Sequence, residues 1–134
     1  MGTRALIHIK EAGLNSTTLV TIYKHYDGYP LGLGQQIIDI LNNGDTTIGN
    51  GVFKNEKVGA YFNGMGCLAA YVIGALKTQI GDVYIYPPDS KNVSEEFTYT
   101  LFRAVGLLML QVTDVNNIST VGLLHANFFK ETDE

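Results

Sequence analysis

One cysteine, no tryptophan, three prolines and two arginines in 134 residues set the first limits on what this chain can be. With Cys67 alone, neither an intramolecular disulfide nor a thiolate metal cluster can form. Set among Gly66, Leu68, Ala69 and Ala70, that cysteine reads as a small buried hydrophobe. Charge is scarce as well: 16% of residues are charged and the formal net charge is −4, against about 25% charged residues in an ordinary soluble domain. The lysines (Lys10, Lys24, Lys54, Lys57, Lys77, Lys91 and Lys130) are scattered, and with Arg4 and Arg103 they form no basic stripe. Duplex nucleic acid needs clustered cations to displace its counterions, so it is not an expected partner. A compact anionic ligand needs only a few donors and stays open.

Long apolar runs are missing too. No stretch approaches the roughly 18 residues that cross a bilayer, and Met1-Gly2-Thr3-Arg4-Ala5 leads into a strand rather than a signal peptide. No membrane contact is expected, and the expected location is cytoplasmic. Asn15-Ser16-Thr17, Asn92-Val93-Ser94 and Asn117-Ile118-Ser119 fit the glycosylation pattern, but without a secretory signal they read as chance. Dinucleotide-binding and Walker glycine patterns, the H-E-x-x-H zinc pattern and the G-x-S-x-G nucleophile elbow are absent. His8, His25 and His125 lack ligand spacing. Neither metal nor cofactor is expected.

Apolar material is plentiful, at 46% of the chain. That suffices for the core of one domain over 1–134, with 130–134 as a disordered tail. Much apolar surface with few charges also suggests a homo-oligomer. Arg4 to Lys10 alternate as a first strand, with Leu6, His8 and Lys10 on one face. Thr17 to Tyr26 read as a second, antiparallel strand with Leu19, Thr21, Tyr23 and His25 on one face. Asp27-Gly28 marks a turn in which Gly28 supplies positive φ. Pro30 suits the first turn of a helix over about 31–43, ended at Gly44.

Asp45 to Lys57 read as a loop. A second helix follows over about 62–78, with Asn63 as its candidate cap and Met65, Leu68, Ala69, Val72, Ile73 and Leu76 as its apolar stripe. Gly66, Ala70 and Gly74 on its other side suit close packing against the first helix or self-association. Asp82 to Tyr86 make a third strand, stopped by Pro87-Pro88. Glu96–Arg103 and Leu107–Thr113 form a hairpin around Ala104-Val105-Gly106, its second arm central because four apolar residues run in succession. Val121–Phe129 is a last strand or a packed tail. Strands, then helices, then strands predict an α+β fold: a mostly antiparallel sheet of five to six strands with two helices packed on one face.

Chemistry concentrates in Tyr23-Lys24-His25-Tyr26-Asp27-Gly28-Tyr29-Pro30 and the glycines after it. His25 and Asp27 are two apart and suit an acid–base pair; the plainer reading has Asp27 accepting turn amides while the rings pack the corner. Gly28, Gly32 and Gly34 precede a helix, where exposed amides can hold an anion. Tyrosines on neighbouring strands near Arg103 can stack a base and pair a phosphate, although core packing accounts for most of them. The candidate ligand-binding residues are therefore His25, Tyr26, Asp27, Gly28, Tyr29, Gly32, Gly34 and Arg103. No residue is assigned as catalytic.

The aromatic-basic-His-aromatic-Asp-Gly-Tyr-Pro stretch resembles a motif of small phage and prophage proteins of unknown function. Glu95-Glu96-Phe97-Thr98-Tyr99 is similar to a Glu-Tyr-x-Tyr strand of the same group, and Tyr26 stands where tryptophan is frequent. The resemblance implies a phage-like origin without supplying an activity. By analogy with phage proteins that sequester nucleotide signals, one expectation is a non-enzymatic, oligomeric binder of a small anionic or nucleotide-like ligand. The alternative is a module that blocks a host or virion protein. A third, a small hydrolase or lyase, rests on His25 and Asp27 alone.

Overall fold

The computed structural model describes residues 3–42, 53–55, 60–62, 64–104 and 107–123. Among the described residues, eight strands and two α-helices run in the order β1 (Ala5–Lys10), β2 (Thr18–Lys24), α1 (Gln35–Asn42), β3 (Phe53–Asn55), β4 (Ala60–Phe62), α2 (Gly64–Leu76), β5 (Val83–Tyr86), β6 (Phe97–Ala104), β7 (Leu107–Asp114) and β8 (Ser119–Leu123). Six strands form one sheet in the order β5-β2-β1-β6-β7-β8, antiparallel throughout except for the parallel pair of β1 and β6. The fold is α+β, as the segregation of strands and helices predicts.

Strand alternation divides the sheet into two unlike faces. Ala5, Ile7, Ile9, Ile22, Tyr99, Leu101, Leu108, Leu110 and Val112 form one core with Leu33, Ile37, Ile38 and Leu41 from the first helical segment and Met65, Leu68, Val72 and Leu76 from α2. Ile37, Ile38 and Leu41 are each fully buried, and each such side chain contributes about 2 kcal/mol. The opposite face carries Leu6 and His8 beside Tyr23 and Thr21, as the pairs Leu6–Tyr23 and His8–Thr21 require. Both helices pack on the first face only.

The chain between β5 and β6 crosses the second face. Asp89 donates its amide to Thr21 Oγ1 at 2.9 Å and accepts from the Thr18 hydroxyl. Lys10 Nζ donates to Thr18 Oγ1 at 2.7 Å. Asp89, Asn92 and Ser94 all adopt positive φ, a costly conformation for non-glycine residues. Side chains hold the crossover in place: Glu95 accepts the amides of Asn92 and Val93, and Arg4 Nε donates to the Ser94 carbonyl.

Several local expectations are corrected. The first helix begins with a wide π-helical turn over Pro30–Gly34, and the α-helix starts only at Gln35. The stretch read as a loop and early helix contains the β3–β4 ribbon; three-residue strands are too short to show alternation. A bulge between Ile9 and Lys10 pairs Lys10 with Thr18, leaving Leu19 38% exposed rather than on the Thr21–Tyr23 face. Gly66, Ala70 and Gly74 face outward, and a Cβ on either glycine would meet nothing within 4 Å. They do not pack on α1. Cys67 is half-buried against the core rather than fully enclosed. β7 lies between β6 and β8, centrally as expected. The Gly44 stop, the Asn63 cap, the Val105–Gly106 turn, His125 and the 130–134 tail lie outside the described residues.

Candidate functional site

The corner after β2 is held by an ion pair that crosses to the segment before β5. Lys24 Nζ lies 2.5 Å from Asp82 Oδ2, with only 8% and 17% of the two side chains exposed. Lys24 also donates to the Tyr26 carbonyl at 2.8 Å. Asp82 Oδ1 accepts the Tyr26 amide at 2.9 Å, and its backbone carbonyl accepts the His25 amide at 2.8 Å. Burial pushes the Asp82 carboxyl upward, but the hydrogen bonds from Lys24 and Tyr26 and the Lys24 charge outweigh it, so Asp82 is held below the ordinary carboxylate value. The turn-capping work expected of Asp27 is therefore done by Asp82.

Asp27 is exposed and adopts φ 58°, so the positive φ falls on Asp27 rather than on Gly28. Gly28 is needed for closeness instead: a Cβ there would stand 2.7 Å from both the Ala5 Cβ and the Thr3 carbonyl. Its amide donates to that same Thr3 carbonyl at 2.8 Å. From the core, the fully buried Tyr99 donates its hydroxyl to the Gly28 carbonyl at 2.6 Å. Burial raises the Tyr99 hydroxyl far above its usual value, so it remains a donor. Gly32 is equally confined, since a Cβ would lie 2.7 Å from the Asp27 carbonyl. The amides of Gly32 and Leu33 are spent on the Tyr29 and Asp27 carbonyls. The glycines thus pack the turn tightly and direct these amides inward.

Beside this corner, on the helix-free face, the rings gather. Tyr23, 6% exposed, stacks on Tyr86 with centroids 4.9 Å apart and planes 9° from parallel. Tyr84 lies 6.0 Å away on its other flank. The Tyr23 hydroxyl and His25 Nδ1 are 2.8 Å apart, and the edge of one ring meets the face of the other where His25 and Tyr26 stand 4.5 Å apart. Burial, then the neighbouring Tyr86, raises the Tyr23 hydroxyl, with the positive charge of Arg4 opposing them. Arg4 lies one residue beyond the Ala5–Lys24 pair, at the end of the strand beside His25. Tyr84 and Tyr26 are 47% and 50% exposed, which leaves aromatic surface open to solvent.

Of the candidate residues, His25 and Tyr26 join this array, whereas Asp27 and Tyr29 stay at the exposed turn. No hydrogen bond joins His25 to Asp27 among the described residues, so an acid–base pair is not assembled. Arg103 is not brought to this corner. It lies six residues along β6 from Phe97, which pairs with Ala5; at roughly 3.3 Å per residue that is about 20 Å. Its amide instead meets the Ala12 carbonyl at the far end of the sheet. Arg4, Tyr84 and Tyr86 complete the array, and the alternation of β1 and β5 was the signal that could have placed them.

Away from the rings, a cleft of about 180 Å³ lies between the crossover and the β6–β7 end and includes Glu95, Glu96 and Asp114 in its lining. Each of these carboxylates accepts backbone amides: Asn92 and Val93 for Glu95, Arg4 for Glu96, Asn116 and Ile118 for Asp114. An anion would meet three negative charges there. Among the described residues no group of three or more His, Cys, Asp or Glu is placed to hold a metal ion, and no helix is long and apolar enough to cross a membrane.

No family model, curated protein or solved structure matches this chain.

Proposed function

We propose that this protein is a non-enzymatic binding module that captures a small, planar, anionic ligand of nucleotide type. The observation that supports the reading best is the half-exposed ring array of His25, Tyr26, Tyr84 and Tyr86 around buried Tyr23, with Arg4 at its margin. A base stacked on such rings contributes about 1–3 kcal/mol without any demand on sequence, and a guanidinium beside it can take a phosphate in a fork. The array replaces the glycine-rich helix start as the ligand surface, since the amides of Gly32 and Leu33 are engaged internally. The resemblance of the Tyr23–Pro30 stretch to small phage proteins supplies no activity itself; sequestering a signal is the analogy drawn from it.

Self-association belongs to the same reading. The 13 residues of α2 include no charged side chain, and Gly66, Ala70, Tyr71 and Gly74 line its outward side. Native mass spectrometry on gently purified protein tests both parts. The expected result is a closed oligomer carrying a few hundred daltons of extra mass per protomer. A bare monomer whose melting temperature no nucleotide shifts would overturn the reading. The second reading, a module that blocks a host or virion protein, draws on exposed Ile85, Val115 and Ile118; it predicts a stoichiometric partner in a host-lysate pull-down.

A further inference from the structure

Charge around the ring array limits what it can hold. Lys24 is consumed by Asp82. Lys77 donates to the Gly81 and Val83 carbonyls at 2.9 Å each, and its ammonium sits 5.5 Å from the centre of the Tyr84 ring. Arg4 spends Nε on the Ser94 carbonyl at 3.0 Å. Its two terminal nitrogens make no hydrogen bond among the described residues, so they keep a fork for an incoming anion. Opposing them, Glu96 accepts the Arg4 amide at 3.2 Å, Asp27 is exposed at the same corner, and the whole chain carries −4.

Resting on the reading above, we infer that the ligand is a base joined to one phosphodiester monoanion, the chemistry of a cyclic mononucleotide, and not a nucleoside di- or triphosphate. One guanidinium fork matches one singly charged phosphodiester. Further phosphates would add negative charge beside Glu96, whose carboxylate already accepts the Arg4 amide. A neutral nucleoside would stack equally well but leave the fork empty. The base meets rings rather than a set of fixed edge donors, so selectivity among bases is weak. A phosphodiester can also come from a single strand, but the lack of a cationic track along the sheet favours the free cyclic compound.

Isothermal titration of the full chain with the 3′,5′-cyclic forms of AMP, GMP, CMP and UMP, their nucleosides, their triphosphates and a tetranucleotide tests this. The expected result is that cyclic nucleotides bind about 10–100-fold tighter than the matching nucleosides, the scale of one hydrogen bond to a charged group, and also tighter than the triphosphates. Arg4→Gln should bring the cyclic forms down to nucleoside level while nucleoside binding is retained. Tyr84→Ala should weaken both, with unchanged circular dichroism verifying that each variant folds. Triphosphates binding tightest, or nucleosides binding as well as cyclic forms, would overturn the inference and leave the binding module standing. Silence from every compound would overturn the parent reading. A tetranucleotide that outcompetes every cyclic form, with the same loss on Arg4→Gln, would support the phosphodiester chemistry and assign its source to a strand.

Discussion

Lys24 carries the heaviest individual burden. Its ammonium is buried, and Asp82 both neutralises it and ties down Tyr26 and His25. Asp82→Asn leaves that ammonium without its counter-charge, so a loss of about 3 kcal/mol in urea unfolding is expected, the scale for breaking a buried pair from one side. The pH dependence follows from the depressed Asp82 carboxyl. Because its folded value lies below the unfolded one, its stabilisation is complete above the unfolded value near 4 and is lost as pH falls further. Wild type should therefore weaken steeply below pH 4, and Asp82→Asn should lack that part of the acid limb. At Gly28 the limit is space: with the Ala5 Cβ and Thr3 carbonyl each 2.7 Å from an added methyl, Gly28→Ala should cost about 2 kcal/mol by overpacking, read as a lowered urea midpoint.

At the scale of elements, β5 is one of the two edges of the sheet, where unwanted pairing can start. Its outward Val83 is already engaged, the amide with the Gly81 carbonyl and the carbonyl with Lys77. A lysine laid along an edge blunts it against a second chain. Lys77→Ala should expose that edge beside the 58%-exposed Ile85, and sedimentation velocity should then show concentration-dependent association beyond that of wild type. Element assignment was legible where alternation ran for five residues or more. Leu6-Ile7-His8 and Thr21-Ile22-Tyr23 declared both faces of their strands, and the pairs Leu6–Tyr23 and His8–Thr21 followed. Residues 30–34 misled because proline and two glycines fit a helix start as well as the wider turn that Gly32 permits under the Asp27 carbonyl. The corner motif was legible as a concentration of chemistry, but its partners were not. Asp82 and Tyr99 lie 56 and 71 residues from Tyr26 and Gly28, distances over which sequence spacing carries no signal.

Across the whole molecule, the two sheet faces have divided the labour. One is sealed by helices and holds the core; the other carries the rings at one side and the polar crossover at the other. His8 lies beneath that crossover, its Nδ1 2.8 Å from Thr21 Oγ1, and Thr21 in turn holds the Asp89 amide. Burial lowers the His8 value below 6.5, with the Lys10 charge acting the same way and Asp89 and Glu95 opposing. A histidine depressed in the folded state stabilises fully above its unfolded value, and that contribution is lost as pH falls. Stability should therefore begin to decline below pH 6.5, well before the carboxylates respond, and His8→Asn should flatten that first decline in a thermal melt series.

The ring array is the centre of the account, and NMR with labelled tyrosine and histidine rings tests it most directly. On titration with cyclic AMP, the ring resonances of Tyr84, Tyr86, Tyr26 and His25 should move upfield together, while buried Tyr99 on the opposite face stays fixed. Unmoved rings at saturating ligand, or shifts confined to tyrosines away from this corner, would contradict it.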